Sequence, residues 1–452
     1  MRSKLSLFIL FLGLFSVSAR SQMLQKIYTI AGNGIQAFGG DGSNASGASF
    51  FGPVDVALDG AGGYYVADHF NYRVRKVNAG GLITTIAGNG FYGNTGNGTI
   101  GTSAELVPRG VVADKSGNVY ISDDASSVIR KVNALGMISQ FAGSPGGIPG
   151  PYGDGGPASA AWFHAPAGMC FDASGNMYIA DMGNHVIRKI NTAGIINTVA
   201  GNFTKGFAGN NTPATDAQLD SPSAVAVDRN GNIYIADYGN NVIRRVDHIT
   251  DTISVFAGTQ GSYDYLGDGG SAAGAKLNGP RGIAVDSSGN VYFSDANNNV
   301  IRRVSATTGI ITTIAGDGTY GFGGDGGLAV GANLFNPYGI AIDGAGSIYI
   351  ADANNERIRK TYNPNVEVHN TNTNRHIEVY PNPTGNSVTV SGLEESDRVC
   401  IYDIIGRQVT DIIYVAGSLP TINTSNLVPG VYLLKATNAS GGNKFETKLV
   451  KE

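Results

Sequence analysis

One sequence pattern recurs six times between residues 27 and 360, and it constrains the fold of this chain more than any other feature. Its frame is P-x-G-[IV]-A-[VI]-D, G-N-x-Y-I-A-D, N-x-[VI]-I-R-[KR]-V and I-x-T-[IV]-A-G. The first aspartates are Asp59, Asp114, Asp172, Asp228, Asp286 and Asp343, and the second are Asp68, Asp123, Asp181, Asp237, Asp295 and Asp352. The arginines are Arg75, Arg130, Arg188, Arg244, Arg302 and Arg359. The constant spacing indicates one structural unit copied six times.

Each copy contains four short runs of β-branched and aromatic residues separated by Gly, Asn and Asp, which predicts a four-stranded antiparallel sheet. The 66 glycines of the 452-residue chain fit the many tight turns that such sheets need. A single sheet cannot bury both of its faces, but six sheets arranged radially can. The fold class predicted is therefore all-β, with a six-bladed β-propeller over residues 27–361. A linear solenoid is the rival, but it needs polar capping repeats that the sequence lacks.

The two ends of the repeat array favour a closed ring. The sixth copy stops after Ile358-Arg359-Lys360 without a fourth strand. The array begins with an unattached fourth-strand sequence at residues 27–32. We therefore expect residues 27–32 to pair with the last blade.

These repeats resemble NHL repeats over roughly 330 residues. The resemblance implies a propeller of the broad group that includes peptidylglycine lyase-type, gluconolactonase-like, streptogramin lyase-like and teneurin-like proteins. That group contains enzymes, sensors and adhesion modules, so the resemblance specifies fold more than function.

Residues that every copy shares are predicted to be structural, because a group present in all blades cannot define one active site. We expect the repeated aspartates and arginines to hold turns and pair with each other. The repeated tyrosines are expected to pack between blades. They are Tyr65, Tyr120, Tyr178, Tyr234, Tyr292 and Tyr349.

Long blade-to-blade connections are expected to emerge on one face and to carry function. They span residues 33–52, 89–107, 144–165, 202–221, 259–279 and 317–336. Most carry G-D-G-x-x-A-x-x-A-x-[LF]-x-x-P, whose alanine spacing predicts a short helical turn. The Asp-Gly pairs at Asp41, Asp154, Asp268 and Asp325 could hold calcium, but they lack an EF-hand ligand ladder, so a turn role is favoured and no cofactor is expected.

The candidate ligand site lies where the copies differ, directly after the proline that begins each innermost strand. The variable residues there are Val54 with Asp55, Arg109, Ala167, Ser223, Arg281 and Tyr338. Arg109 and Arg281 are three blades apart, and so on opposite sides of a six-fold ring. Together they could grip an anionic or carbohydrate-acid ligand.

Aromatic and histidine residues on the same face suit recognition of sugars or protein surfaces. They are His69, Phe70, Tyr152, Trp162, His164, Tyr238, Tyr263 and Tyr265. The binding set predicted from both groups is Asp55, Arg109, Ser223, Arg281, Tyr338, His69, Trp162, His164 and Tyr238. His69, His164 and His185 show no paired metal-ligand spacing, and His185 occupies a variable outer position, so no metal or catalytic site is predicted.

The N-terminus has the features of a signal peptide over residues 1–21, with Arg2 and Lys4 before the apolar run Leu5 to Val17. No other stretch has the roughly 20 apolar residues of a membrane span, so no transmembrane segment is expected in the mature chain. The formal charge of −4 and the lack of a basic cluster argue against nucleic acid. Cys170 and Cys400 are expected to be buried free thiols.

After an Asn/Thr-rich linker at residues 362–375, residues 376–452 show short alternating strands that fit a small Ig-like antiparallel β-sandwich. This segment resembles the type IX secretion C-terminal sorting domain, type A. The shared motifs are Y-P-N-P, Y-D-x-x-G-R, L-x-x-G-x-Y and K-[LV]-V-K, which occur here in that order. The resemblance implies that residues 376–452 engage the type IX secretion machinery, carry the propeller across the outer membrane and are then removed.

The function expected is that of a secreted or cell-surface binding protein that recognises a glycan, a protein or a small ligand. The main alternative is a secreted propeller enzyme of lyase or lactonase type with a site at the channel mouth. A third is a structural module of a larger surface assembly.

Overall fold

The computed structural model describes residues 25–144 and 152–362, together with part of the C-terminal region. The described C-terminal residues are 379–380, 384, 387–390, 398–403, 407–410, 413–414, 421–437 and 443–451. The chain divides into two compact units, residues 1–363 and 364–452. The expected signal peptide lies outside the described residues, as does the expected linker except Tyr362, which ends a strand.

Each of the six repeats forms an antiparallel sheet, which we call a blade, and blades 1 to 5 each take four strands from one repeat in chain order. Blade 1 contains Pro53–Leu58, Tyr64–Asp68, Arg73–Val77 and Ile83–Ala87, and blade 2 contains Pro108–Ala113, Val119–Asp123, Val128–Val132 and Ile138–Ala142. Blade 3 contains Pro166–Phe171, Met177–Asp181, Val186–Ile190 and Ile196–Ala200, and blade 4 contains Pro222–Val227, Ile233–Asp237, Val242–Val246 and Thr252–Ala257, with Thr212–Pro213 added at its edge. Blade 5 contains Pro280–Val285, Val291–Asp295, Val300–Val304 and Ile311–Ala315.

Blade 6 takes three strands from the end of the array and one from its beginning. Pro337–Ile342, Ile348–Asp352 and Arg357–Tyr362 are followed in the sheet by Lys26–Ala31. The N-terminal strand runs antiparallel to Arg357–Tyr362, with Tyr28 opposite Lys360. The first strand of every blade contacts the first strands of both neighbouring blades, including blade 6 with blade 1. The array is therefore a closed six-bladed ring with the first strands around the axis, and not a linear solenoid.

The ring is held by apolar clusters that neighbouring blades share. Between blades 1 and 2, for example, Tyr65 and Ala67 pack with Val111 and Ile121, and Leu106 from the connecting loop completes the cluster. All of these side chains are at most 5% exposed. The repeated tyrosine thus lies between blades, where its ring buries a large apolar area.

Short 3-10 helices occur at two repeated places. Those after the second strands are His69–Asn71, Met182–Asn184, Tyr238–Asn240, Ala296–Asn298 and Ala353–Asn355. Those inside the long connections are Ala45–Gly47, Gly101–Ser103, Ala158–Ala160, Ala214–Asp216, Ala272–Gly274 and Ala329–Gly331. The second set is the short helical turn that the alanine spacing predicts.

The sequence led us to expect the long connections on one face of the propeller, but they do not stay on that face. Midway, each connection leaves that face and pairs with the outermost strand of the blade it enters. The N–H of Gly42 donates to the Ile83 carbonyl at 2.8 Å, and the N–H of Ile83 donates to the Ser43 carbonyl at 3.0 Å. Equivalent backbone bonds occur in the other five blades. The physical reason is that an outer strand otherwise exposes a row of unpaired backbone groups.

The repeated aspartate and arginine form a buried network at the end of each second strand. In blade 1, one oxygen of Asp68 accepts from the Phe51 N–H at 2.8 Å, and the other accepts from Asn71 at 2.8 Å and faces Arg75 at 3.4 Å. Arg75 also pairs with Asp41 in the loop at 2.7 Å. Both Asp68 and Arg75 are fully buried, so the bonds to Asn71, Phe51 and Asp41 offset their loss of water.

The loop aspartates that could have held calcium are occupied by these arginines. Asp154, Asp268 and Asp325 pair with Arg188, Arg302 and Arg359 at 2.6 to 2.7 Å, as Asp41 does with Arg75. No group of three or more His, Cys, Asp or Glu residues that could hold a metal ion occurs in the described ranges.

The C-terminal unit consists of two antiparallel sheets. One contains Val379–Tyr380, Ser387–Val390 and Thr421–Asn423, and the other contains Ile413–Tyr414, Arg398–Tyr402, Gly430–Thr437 and Asn443–Lys451. Side chains from both sheets, including Val388, Ile401 and Leu434, share one buried cluster. This arrangement is a small β-sandwich.

Two smaller findings concern the thiols and the helices. Cys170 in blade 3 and Cys400 in the C-terminal unit are both free; Cys400 is buried, as expected, whereas Cys170 is half-buried. Among the residues that the structure describes, none of the helices has the length and apolar character needed to cross a bilayer.

Candidate functional site

The first strands of the blades begin at one end of the axial channel. The turns between the second and third strands lie at the same end. There they surround an open cavity of about 280 Å³ whose lining includes residues from all six blades. The residues at equivalent positions around this cavity differ in charge and size, so its lining departs from the repeat symmetry.

Three tiers of equivalent residues build this end of the channel. The upper tier directly follows the second aspartate and consists of His69, Asp124, Met182, Tyr238, Ala296 and Ala353. The middle tier directly follows the proline and consists of Val54, Arg109, Ala167, Ser223, Arg281 and Tyr338. The lower tier is one residue further along and consists of Asp55, Gly110, Gly168, Ala224, Gly282 and Gly339. The whole middle tier, Asp55 and His69 line the cavity.

Arg281 is held between two tyrosine rings from the neighbouring blades. Its guanidinium carbon lies 4.3 Å from the ring centroid of Tyr238 and 4.0 Å from that of Tyr338. One of its terminal nitrogens donates to the Tyr238 hydroxyl at 3.1 Å. No described carboxylate lies within ion-pair distance of Arg281. The side chain is thus an oriented cation without a counter-ion among the described residues, although burial lowers its pKa below the usual value.

Arg109 enters the cavity from blade 2 and is paired. Its guanidinium lies 3.2 Å from the Asp124 carboxylate, and both side chains are about 29% exposed. This ion pair presents one donor group and one acceptor group side by side. Asp124 is a residue that the sequence reasoning missed, although its position, directly after the second aspartate, varies visibly among the copies.

His69 lies next to this ion pair, and its Nε2 atom is available as a hydrogen-bond acceptor. Its Nδ1 lies 2.9 Å from the Pro108 carbonyl oxygen, so Nδ1 carries the proton and donates. Burial lowers the pKa of His69, which keeps the ring neutral. Nε2 then has a free lone pair at the cavity wall.

Asp55 takes a position where the other five blades have glycine or alanine. Its Oδ2 accepts from the Val111 N–H at 2.9 Å, and its Oδ1 accepts from the Val56 N–H at 3.0 Å. Burial raises the pKa of this carboxyl to about 7. Asp55 also lines a second cavity, of about 300 Å³, at the other end of the channel. The residue therefore lies between the two cavities. A Cβ on Gly339 would collide with Asp55, which explains the glycine opposite it.

Ser223 lines the cavity, but its hydroxyl is occupied. The Oγ lies 2.9 Å from the Arg281 carbonyl oxygen and 3.1 Å from the Pro280 carbonyl oxygen. The hydroxyl therefore donates to the first strand of blade 5 and ties blade 4 to it. Ser223 thus lies in the cavity lining, but its hydroxyl proton is used within the protein.

Trp162 and His164, which belong to the predicted binding set, do not line this cavity. Trp162 packs edge-on against Tyr152, with ring centroids 4.9 Å apart. His164 is exposed, and its backbone N–H donates to Asp181 at 2.8 Å. The His164 ring lies against Gly183 in the turn after the second strand of blade 3, and the His164 carbonyl accepts the Gly183 N–H at 2.8 Å. Tyr265 likewise lies over buried Arg302, 5.1 Å from the guanidinium carbon.

His185 has a structural role that the sequence did not reveal. Its Nδ1 accepts the backbone N–H of Ser221 in the next blade at 3.0 Å. The same bond between neighbouring blades joins Asn241 to Gly279 at 2.7 Å, Asn299 to Asn336 at 2.9 Å and Glu356 to Gly52 at 2.6 Å. All four side chains follow a 3-10 turn and start from a residue with positive φ. We call this bond the blade latch.

Comparisons with known protein families agree with these two units. Residues 378–452 match the family described as Secretion system C-terminal sorting domain. Residues 257–322 match the Teneurin NHL domain, and residues 219–245 match the NHL repeat.

Curated relatives share the repeats but are much longer. The chain is 27% identical over 261 residues to Protein SUPPRESSOR OF QUENCHING 1, chloroplastic, of Arabidopsis thaliana, covering 56% of this chain and 24% of that protein. It is 26% identical over 378 residues to Teneurin-1 of Homo sapiens, covering 75% of this chain and 13% of that protein. The chain thus spans about a quarter or less of the length of these relatives.

Solved structures from Bacteroides share the fold. An auxiliary nutrient binding protein from Bacteroides thetaiotaomicron is 17% identical, with a TM-score of 0.53 and coverage of 75% of this chain and 76% of that one. A similarly described protein from Bacteroides ovatus is 16% identical, with a TM-score of 0.54 and coverage of 75% and 77%. At these identities the likeness establishes the propeller fold alone.

Proposed function

We propose that this chain, an NHL-repeat β-propeller protein with a C-terminal type IX secretion sorting domain, is an exported binding protein whose channel-mouth cavity holds a small organic acid or the acidic end of a glycan. Export rests on the sorting domain. The identity of the cavity as the ligand site rests on the side chains that line it.

The observation that carries the proposal is the state of Arg281. A guanidinium that is fixed between Tyr238 and Tyr338 loses little conformational entropy when it binds an anion. Its charge is not cancelled by any described carboxylate within 4 Å. A carboxylate ligand would supply that counter-ion and accept two parallel N–H bonds, which is the geometry that arginine favours.

The other polar groups of the cavity suit a ligand with hydroxyl groups. His69 offers an acceptor at Nε2, and the Arg109–Asp124 pair offers both a donor and an acceptor. The Tyr338 ring adds an apolar surface of the kind that packs against sugar rings. These features together favour a hydroxylated acid, such as a sugar acid, over a purely apolar ligand.

Two lines from the comparisons support a binding role. The sorting domain implies interaction with the type IX secretion machinery and export to the cell surface or the exterior. The Bacteroides propellers described as auxiliary nutrient binding proteins have the same fold. We further propose that the N-terminal leader brings the chain to the periplasm and that residues 376–452 direct the outer-membrane step.

No observation on the described residues specifically favours the alternative, a secreted lyase or lactonase. The imidazole and carboxyl groups at the cavity are His69, Asp55 and Asp124. His69 is tied to a backbone carbonyl, Asp124 to Arg109 and Asp55 to two backbone amides. None of them activates another as a nucleophile and base would.

The test is calorimetric titration of the mature full-length chain with glucuronate, galacturonate and gluconate, with glucose and galactose as neutral counterparts. We expect the acids to bind and the neutral sugars to bind at least tenfold more weakly. Arg281→Ala should lose at least tenfold in affinity. Arg229→Ala is the matched control, because Arg229 is an exposed arginine in a turn at the opposite end of the channel. Equal affinity of the Arg281→Ala variant and the parent would refute the proposed site.

A further inference from the structure

We infer that binding of an organic anion in this cavity is coupled to uptake of one proton by Asp55, so that the site holds its ligand when the Asp55 carboxyl is protonated and releases it when the carboxyl is ionised. This inference rests on the proposed function and adds its regulation. It is carried by the position of Asp55, by its partners and by the charge balance of the cavity.

The position of Asp55 makes it the floor of the cavity. In the lower tier, the five equivalent residues are glycine or alanine and carry no polar side chain. Asp55 lies one residue below the tier that contains Arg109 and Arg281, and it lines the cavities at both ends of the channel. A ligand that reaches into the channel from the arginines therefore meets the Asp55 carboxyl first.

The partners of Asp55 do not neutralise it. Each of its oxygens accepts one backbone N–H, from Val56 and from Val111. No described lysine, arginine or histidine lies within 4 Å of it. A carboxylate in such a setting loses hydration without gaining a counter-ion, which favours the protonated form. In accord with this, burial raises the pKa of Asp55 to about 7.

The charged and titratable groups that line the cavity together with Asp55 come from four of the six blades, since the described lining residues of blades 3 and 4 are uncharged. Blade 6 contributes Tyr338, and blade 2 contributes Arg109 with Asp124. Blade 5 contributes Arg281, and blade 1 contributes His69 at the rim. Toward the other end of the channel, the titratable neighbour is the Cys170 thiol, whose pKa is raised by burial to about 12, so it remains neutral.

The charge balance of the cavity follows from these groups. The Arg109 and Asp124 charges offset each other at 3.2 Å. Ionised Asp55 brings the summed charge of these groups to zero, whereas protonated Asp55 leaves the site with the net positive charge of Arg281. A monoanionic ligand therefore matches the charge of the protonated site, whereas in the ionised site it adds a second unpaired negative charge to the same cavity.

The consequence is a measurable pH dependence. A bound anion raises the pKa of Asp55 further, because the anion favours the uncharged carboxyl. Above neutral pH each bound ligand must bring one proton, and affinity falls by up to about tenfold per pH unit. His69 titrates below this range because its pKa is lowered. The dependence between pH 7 and 8.5 should therefore report on Asp55.

The test is calorimetric titration of the full mature chain with glucuronate at pH 6.0, 7.0, 8.0 and 8.5, in buffers that differ in ionisation enthalpy. We expect affinity to fall at least fivefold between pH 7.0 and 8.5, with uptake of up to one proton. Asp55→Asn keeps an oxygen for the Val111 N–H and should bind glucuronate with little dependence on pH. Asp124→Asn is the matched control, and it should change the affinity but keep the pH dependence.

The outcomes separate the inference from the proposed function. Glucuronate binding with equal affinity at pH 7.0 and 8.5, or a pH dependence that persists in Asp55→Asn, overturns the inference alone. If none of the three sugar acids binds at pH 6.0, the proposed function falls and the inference falls with it. If Asp55→Asn does not fold, carboxyl ¹³C NMR of the parent decides, because saturation with glucuronate should raise the titration midpoint of Asp55. An unchanged midpoint would count against the inference.

Discussion

The Glu356 carboxylate of blade 6 accepts the backbone N–H of Gly52, the residue before the first strand of blade 1, at 2.6 Å across 304 residues of sequence. Gln36 donates to the other oxygen of the same carboxylate at 3.0 Å. This bond is the blade latch at the point where the ring closes. It acts near the axis, whereas the pairing of Lys26–Ala31 with Arg357–Tyr362 closes the ring at its rim.

Removing this latch should destabilise the closed ring. Glu356→Ala leaves the Gly52 N–H buried without an acceptor, which typically costs about 1–3 kcal/mol. The measurement is the free energy of unfolding from denaturant titration of the mature chain. Glu356→Gln keeps an acceptor oxygen, so we expect it to retain most of the stability. Equal unfolding free energies for the Ala variant and the parent would show that the latch contributes nothing.

The latch at His185 should make stability depend on pH. Nδ1 accepts the Ser221 N–H only when it carries no proton, and burial lowers the folded-state pKa of His185 below its ordinary value of 6.5. A lowered histidine pKa contributes stability that is present above the unfolded-state pKa and is lost as the pH falls through the folded-state value. The loss attributable to His185 is therefore expected below about pH 6.5, as the pH falls through the lowered folded-state pKa.

His185→Asn tests this dependence with a residue that the protein already uses. Asn241 and Asn299 form the same latch in blades 4 and 5. The variant should match the parent in unfolding free energy at pH 7.5 and exceed it at pH 5. Identical stability profiles for the two proteins over this range would contradict the assignment.

Blade 4 lacks the ion pair with a loop aspartate that the arginine forms in blades 1, 3, 5 and 6, so supplying it should stabilise the protein. Arg244 is fully buried, its nitrogens have no hydrogen-bond partner among the described residues, and its nearest carboxylate, on Asp237, is 3.7 Å away. Asn210 accepts the Val255 N–H as Asp154 accepts that of Thr198. Asn210→Asp should keep this bond and supply the missing charge.

The expected gain for Asn210→Asp is about 1–2 kcal/mol, the range of a charge-assisted hydrogen bond. The melting temperature of the mature chain measures it. Asp154→Asn in blade 3 is the mirror change and should lower the melting temperature by a comparable amount. An unchanged or lower melting temperature for Asn210→Asp would mean that Arg244 does not need a carboxylate.

Export gives a prediction that is independent of the cavity. The C-terminal unit has its own two sheets and its own buried cluster, so its loss should leave the propeller intact. Deletion of residues 376–452 should leave the protein in the periplasm of a host with a working type IX system. Cell fractionation and immunoblotting measure this, and an unchanged melting transition of the propeller is the control. Normal appearance of the truncated protein outside the cell would contradict the role of the tail.

Part of the candidate site could be predicted from the sequence because its residues occupy fixed places in a repeat. Arg109, Arg281 and Tyr338 each directly follow the proline of a first strand, and six such strands around one axis must bring these positions together. Their contact with a ligand remains a prediction. Asp124 was missed although it occupies the same place in the repeat as His69 and Tyr238, because only the structure shows that it pairs with Arg109 in the cavity.

The contacts of other predicted site residues depend on parts of the chain that are distant in sequence. Trp162 packs on Tyr152, and His164 lies against Gly183, so neither lines the cavity, and their contact with a ligand remains a prediction. Ser223 and His185 look like free polar side chains in the sequence, but each bonds to the backbone of the next blade.

The sequence by itself determined the number of blades, the strands within them and the strand pair that closes the ring. It could do so because alternation, turn residues and repeat spacing act within one copy and are repeated six times. Only the tertiary structure decided which polar groups remain available at the channel mouth, because availability depends on partners from the neighbouring blade. The Asp55 carboxyl illustrates this, since its pKa of about 7 comes from burial between the first strands of blades 2 and 6 and not from any neighbour in sequence.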